Sequence, residues 1–209
     1  MFKPIKELNF IAIALLYIDY EEMKERIKNL LTKSESAWVI EGPWDVIEGP
    51  LNIDEVIRNG QTMSGAVNRR IVIWPLGKSK TIFLSNLTDV NAGIIYPLKL
   101  TQDSIRIRVS KTNSISDQPM NEFKYVKNGK ERLVHAYWDS TRWIFYEKGQ
   151  LLPFENPDYY KRRKIRDRVN FAIVNEYLEA NGWDLNEESF WQSDVATYFL
   201  EKHPTKRNE

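Results

Sequence analysis

Apolar residues recur at every second position through the middle of this chain and at every third or fourth position near both ends, so strands flanked by helices are the elements expected. Phe10 to Tyr17 is a dense aliphatic and aromatic run that favours a strand, although Ile5, Leu8, Ala12 and Leu15 also fit a helix starting at Pro4. Asp19 then caps a helix in which Met23, Ile27, Leu30 and Leu31 recur at helical spacing. Trp38 to Ile40 and Trp44 to Ile47 read as short strands, each followed by a Glu-Gly-Pro turn.

From Arg70 onward the pattern is β-rich, with Arg70 to Trp74 and Thr81 to Leu84 on either side of a polar turn. Ile105, Ile107 and Val109 alternate with Arg106 and Arg108, the period of a half-buried strand with a basic outer face. Phe123 to Val126 meets Leu133 to Trp138 across Asn128-Gly129, a strong hairpin signal, and Trp143 to Tyr146 continues the meander. Near the C-terminus an Asn156 cap, Pro157 at the first helical position and an Asn181-Gly182 stop predict one helix over 157–178. Ile165, Val169, Ala172 and Ile173 would line one stripe of it, and Phe171, Val174 and Leu178 a second.

That order predicts a single α+β domain over 1–203, with 204–209 as a disordered tail. The sheet should be twisted and mainly antiparallel, with helices from the N- and C-terminal segments packed on it.

The predicted helix 157–178 has its charge at the unfavourable end. Lys161, Arg162, Arg163, Lys164, Arg166 and Arg168 fall in its first turns, facing the positive end of the macrodipole. Each exposed, unpaired cation there costs about 0.3–1 kcal/mol. Lys161, Lys164 and Arg168 would share a face, so they are expected to pair with acids of the fold or, with Arg162, to form a patch for an anion or acidic partner.

Overall composition narrows the classes further. With 209 residues, 42% of them hydrophobic, seven Trp and ten Tyr, the chain can bury a sizeable core without any linker-like stretch. Cysteine is absent, which excludes disulfides, thiolate metal sites and cysteine nucleophiles. The apolar run after Lys3 and Lys6 ends in Asp19-Tyr20-Glu21 without a small-residue cleavage pattern and is too short to span a bilayer, so a cytoplasmic protein without a membrane partner is expected.

The net charge of +1 hides a strong polarisation. Residues 34–60 set Arg58 against six acids, and residues 104–168 are basic. Residues 169–201 carry Glu176, Glu179, Asp184, Glu187, Glu188, Asp194 and Glu201 with no Lys or Arg. Trp183, Phe190, Trp191, Tyr198 and Phe199 share that acidic stretch. Acids around aromatic anchors are the layout of a surface that captures a basic protein, so Glu187, Glu188, Trp191, Asp194 and Tyr198 are the expected partner-binding residues. Trp191, Tyr198 and Phe199 also fit a core-facing stripe at helical spacing.

Motifs for catalysis are weak. Gly77-Lys78-Ser79 lacks the first glycine of a phosphate loop, because position 72 is Val. His135 and His203 are the two histidines, and no nucleophile-elbow pattern accompanies them. Glu122-Phe123-Lys124, with Asp103 or Asp117 upstream, has the spacing of a metal-dependent nuclease, but two acid-x-Lys matches are about what this composition yields by chance. Arg106, Arg108 and the 161–168 cations beside Tyr159 and Tyr160 could contact nucleic acid, against which stands a pI of only 7.8. No catalytic residue, metal or cofactor is therefore expected. The expected function is a protein-binding module, most concretely a bacterial immunity protein that neutralises a toxin. The alternative is a metal-dependent nucleic-acid enzyme or a nucleic-acid-binding subunit.

Overall fold

An apolar run that shows no alternation can sit in the middle of a sheet covered on both faces, and Phe10–Leu16 (β1) does so. Ile11, Ile13 and Leu15 point to one face, Ala12, Ala14 and Leu16 to the other, and all six are buried. This resolves the ambiguity over residues 4–18 in favour of a strand, at least from Phe10. The computed structural model describes residues 10–33, 44–53, 70–85, 103–110 and 119–201. The expected strand at Trp38 to Ile40, together with Arg58, Asp117 and residues 204–209, lies outside them.

The other strands among the described residues are Trp44–Gly49 (β2), Arg70–Pro75 (β3), Thr81–Ser85 (β4), Ser104–Ser110 (β5), Met120–Lys127 (β6), Lys130–Asp139 (β7), Arg142–Lys148 (β8) and Ala196–Glu201 (β9). With β1 they form one nine-stranded antiparallel sheet in the order β2-β9-β3-β4-β1-β5-β6-β7-β8. Two α-helices, Tyr20–Lys33 (α1) and Phe171–Glu179 (α2), accompany it among the described residues. The α+β expectation therefore holds at a coarse level, for a fold that is mainly sheet.

The hydrophobic residues fall into two clusters, one for each face of the sheet. On one face Tyr20, Met23 and Ile27 of α1 cluster with Ala12, Ala14, Ile71, Ile73, Phe83 and Phe199. Asp19 starts α1 as expected, its Oδ1 accepting from the N–H of Glu21 at 2.9 Å and of Glu22 at 3.2 Å. On the other face Ile13, Trp74, Ile107, Phe123 and Val134 cluster with Ile173, Val174, Tyr177 and Leu178 of α2 and with Trp183, Phe190 and Trp191 beyond it.

Turn chemistry is local, and it holds. Asn128 and Gly129 take φ of 50° and 73°, the left-handed pair that a two-residue hairpin between β6 and β7 requires. Gly182, at φ 84°, stops α2 where the sequence places the stop.

The long helix over 157–178 does not form, which corrects the expectation. Tyr159–Lys161 and Ile165–Asp167 are single 3-10 turns, separated by Arg162 at φ −56° and ψ 142° and by Lys164 at φ −83° and ψ 118°. Asn170, not Asn156, caps the true helix, its Oδ1 accepting from Ile173 N at 3.1 Å. The cations therefore never stand along a helix N-terminus, and Lys161, Lys164 and Arg168 share no helical face. A buried polar network explains the interruption. Arg132 on β7 is 2% exposed and donates through Nε to both oxygens of Glu155 at 2.9 and 3.1 Å and through Nη2 to Glu155 Oε2 and Glu147 Oε2, each at 2.8 Å. Tyr160 donates to Glu155 at 2.5 Å and shares a 2.8 Å bond with the Tyr177 hydroxyl. Satisfying a buried charge outweighs a single capping signal, so the chain bends to bring Glu155 and Tyr160 over Arg132.

Candidate partner-binding face

The acidic stretch begins on α2, where burial and charge divide by position. Ile173, Val174, Tyr177 and Leu178 are buried, whereas Glu176 and Glu179 are exposed. Asn175 is the exception, a polar residue only 4% exposed. Each of its hydrogen-bonding groups is used: Nδ2 donates to Glu179 Oε1 at 2.5 Å and to Asp184 Oδ1 at 2.9 Å, while Oδ1 accepts from Leu185 N at 3.0 Å. One buried amide thus holds two carboxylates side by side. Burial pushes the Asp184 carboxyl up, but hydrogen bonds from Asn186 and Asn175 outweigh it and hold the group below the usual carboxylate range.

The chain then dips into the core. Trp74 receives Phe190 edge-on at 6.4 Å and Trp191 at 6.3 Å, and Trp191 Nε1 donates to Leu185 O at 2.9 Å. Trp191 is 2% exposed, so its expected role as a partner-binding anchor is corrected: the ring closes the core. Residues 196–201 are not the helical stripe that Trp191, Tyr198 and Phe199 suggested but strand β9, inserted between β2 and β3. Tyr198 is half-buried there, its hydroxyl donating to Pro50 O at 3.0 Å and accepting from Asn52 N at 2.6 Å. Glu187, Glu188 and Asp194 are exposed as expected. The apolar residues that reach the surface nearby are Val195 and, cross-strand from Tyr198, Ile47, about half exposed each.

Electrostatically the acidic and basic stretches differ. Among the described residues no Lys or Arg comes within ion-pair distance of Glu176, Glu179, Asp184, Glu187, Glu188 or Asp194. Glu176 accepts from the Tyr159 hydroxyl at 2.8 Å and Glu188 from Gln192 at 2.9 Å, both neutral donors. The cations of 161–168 are mostly engaged by the fold itself. Lys161 pairs with Asp158 at 2.8 Å, Arg162 stacks 4.4 Å from the Tyr159 ring centre and donates to Asp167 O, and Arg168 donates to Arg162 O. Lys164 is exposed.

Glu122 and Lys124 lie on the same face of the sheet, but their charged ends turn to other partners. Arg108, Glu122, His135 and Tyr146 are cross-strand neighbours in one row over β5 to β8. Arg108 grips the carboxylate of Glu122 through Nε at 3.2 Å and Nη2 at 2.7 Å, with His135 Nδ1 at 3.6 Å. Burial pushes the Glu122 carboxyl up, yet His135 and Arg108 overcome that and hold it at about 2. Lys124 pairs with Glu131 at 2.9 Å. A carboxylate with that pKa is a poor general base near neutrality.

Fold and surface together define a single-sheet antiparallel protein whose C-terminal acidic stretch, from Glu176 to Asp194, meets no Lys or Arg at ion-pair distance among the described residues. Comparisons with family models, characterised proteins and solved structures find no match for this chain.

Sequence reasoning found the acidic stretch but missed the Asn175 clamp. The i,i+4 spacing of Asn175 and Glu179 was available as a signal. Asp184, beyond the Gly182 turn, offered none.

Proposed function

We propose that this chain is a protein-binding module that captures a basic partner through its acidic C-terminal face, most concretely as a bacterial immunity protein that neutralises a toxin. The observation that carries the reading is the contrast in charge pairing. Six carboxylates between Glu176 and Asp194 have no cation within ion-pair distance among the described residues, whereas most cations of 161–168 are engaged internally. Uncompensated like charge disfavours the compact state, and it speeds association with a partner of opposite sign. Val195 and Ile47, rather than Trp191, supply apolar contact area on that face.

Affinity capture from a lysate of the source cells, followed by mass spectrometry, tests the reading. A basic protein is expected, and its capture is expected to fall when Glu188→Lys is combined with Asp194→Lys. If those reversals leave capture intact while Lys161→Glu with Arg162→Glu abolishes it, the binding face is the basic one and the proposal is wrong.

A nucleic-acid enzyme keeps one supporting observation, the Arg108–Glu122–His135 row, which places a cation, a carboxylate and an imidazole side by side. RNA cleavage by the purified protein, abolished by His135→Ala, would promote that reading over the first.

A further inference from the structure

Strand β8 ends the sheet, with β7 on one side and no strand of the described residues on the other. Which of its backbone groups are free follows from a bond on the far side of β7. Trp138 N–H donates to Pro119 O at 3.0 Å, on the β6 side, so its neighbours Tyr137 and Asp139 turn their backbone groups toward β8. Opposite them, Arg142, Ile144, Tyr146 and Lys148 bond to β7, which leaves Trp143, Phe145 and Glu147 pointing their N–H and C=O groups away from it. No hydrogen bond among the described residues takes up these outward groups. The Ile165–Asp167 turn touches both β7 and β8 but gives no backbone bond to either. Open edges are normally blunted by proline, a bulge or a charge in mid-strand. β8 has no proline, pairs with β7 without a bulge and keeps its charges at its ends, where Arg132 engages Glu147 and Glu131 engages Lys148. Between them lie Trp143, Ile144, Phe145 and Tyr146, all strand formers.

We infer that β8 pairs antiparallel with β8 of a second copy of this chain, about a two-fold axis through Ile144, joining the two sheets edge to edge. In one continuous sheet, outward residues must stand opposite outward residues, and charge selects among the registers that allow it. With Ile144 on the axis, Trp143 of each copy stands opposite the second copy's Phe145, and the two exchange both N–H···O bonds. Ile144 then meets its own counterpart, and the exposed Arg142 meets the second copy's Tyr146, a ring 46% exposed in the single chain. With Phe145 on the axis, Arg142 would instead stand opposite Lys148, a like-charge pair at each end of the junction. A strand from a basic protein would likewise set cations against Arg142, so the second copy is the better occupant. The inference does not rest on the protein-binding reading, because β8 and the β2–β9 end of the sheet, where Ile47 is exposed, lie at opposite ends.

The test uses the intact protein, with sedimentation velocity over a range of concentrations to read mass and amide hydrogen exchange to read the site. A reversible dimer is expected, and the amides of Trp143 and Phe145 are expected to exchange more slowly as it fills. That measurement needs no variant. Ile144→Lys and Ile144→Glu, each checked for an intact fold by circular dichroism, are each expected to weaken the dimer about tenfold or more, and an equimolar mixture of the two to restore it, because the altered side chains meet at the axis. A protein that stays monomeric throughout overturns the inference. So does a dimer whose Trp143 and Phe145 amides exchange as in the monomer, or one that Ile144→Lys leaves intact, since another face then joins the copies. A mixture as weak as its components overturns the two-fold register and the inference with it. Protection of those amides only when a captured partner is added to a monomeric protein gives the edge to a foreign strand, and likewise overturns the inference.

Discussion

Glu155 and Glu179 are both carboxylates held by side chains of the same C-terminal half, yet the fold treats them in opposite ways. Glu155 is 8% exposed and takes three hydrogen bonds from Arg132, with further donors in Leu152 N and the Tyr160 hydroxyl. Glu179 is exposed, and it accepts from the neutral amide of Asn175, shared with a second carboxylate. In the first region charge is saturated and fixes the path of the chain. In the second, charge is gathered, and no Lys or Arg of the described residues pairs with it. Two carboxylates on one amide, with no Lys or Arg of the described residues in ion-pair range, add less to the fold than Glu155 does, so the contrast separates acids that hold the fold from acids left at the surface.

The sharpest way to break this comparison is to remove the cation of the saturated region. Arg132→Met leaves Glu155 buried without its counter-charge and Glu147 without a partner on β7, and a loss of about 3–5 kcal/mol is expected. Denaturant unfolding reads it directly. A loss below about 1 kcal/mol would show that the network follows the fold rather than fixing it. Combining Arg132→Met with Glu155→Leu should recover part of the loss, since no lone charge then stays buried.

Glu122 belongs with the saturated group, and its pH dependence tests that placement. Its folded carboxyl, held at about 2, lies below the ordinary 4.5, so its contribution is fully present above 4.5 and is lost as pH falls toward 2. Wild-type stability should therefore exceed that of Glu122→Gln by about 2–3 kcal/mol at pH 7, with the gap closing between pH 4.5 and 2. A gap that stays constant across that window would mean that the lost packing geometry, not the charge, is what the variant reports.

How far the sequence carried these two regions differs for a physical reason. Strands β5 to β8 were legible because a half-buried strand writes its period into the residues and Asn128-Gly129 fixes its own turn. The path from Asn156 to Arg168 was not, because its decisive partners, Arg132 and Tyr177, are distant in sequence. Local capping at Asn156-Pro157 lost to that tertiary demand. The acidic excess of 169–201 could be counted, but whether cations fold over it could not, and the burial of Trp191 depends on Trp74 from β3.

On the proposed binding face, the double reversal Glu188→Lys with Asp194→Lys should slow association with a captured basic partner about tenfold at low salt, equivalent to about 1.4 kcal/mol. The wild-type rate itself should fall as salt rises toward 0.5 M, because exposed charges act through a screened field. Stopped-flow association at several ionic strengths checks both. A wild-type rate indifferent to salt would take electrostatic steering away from this face.

The smallest effect carries the opposite sign and is the most specific to the comparison. Glu179→Gln keeps an oxygen that can accept from Asn175 and removes one of two like charges from the shared amide. In the saturated region the loss of a charge weakens the protein; here it should leave stability unchanged or raise it by up to about 0.5 kcal/mol, the size of a like-charge repulsion at the surface. The gain should shrink in high salt, where that repulsion is screened. Thermal unfolding of wild type and variant at low and high ionic strength reads the difference. If Glu179→Gln instead costs 1 kcal/mol or more at every salt concentration, the carboxylate is structural, as Glu155 is, and the division between the two regions fails at the residue where it was drawn.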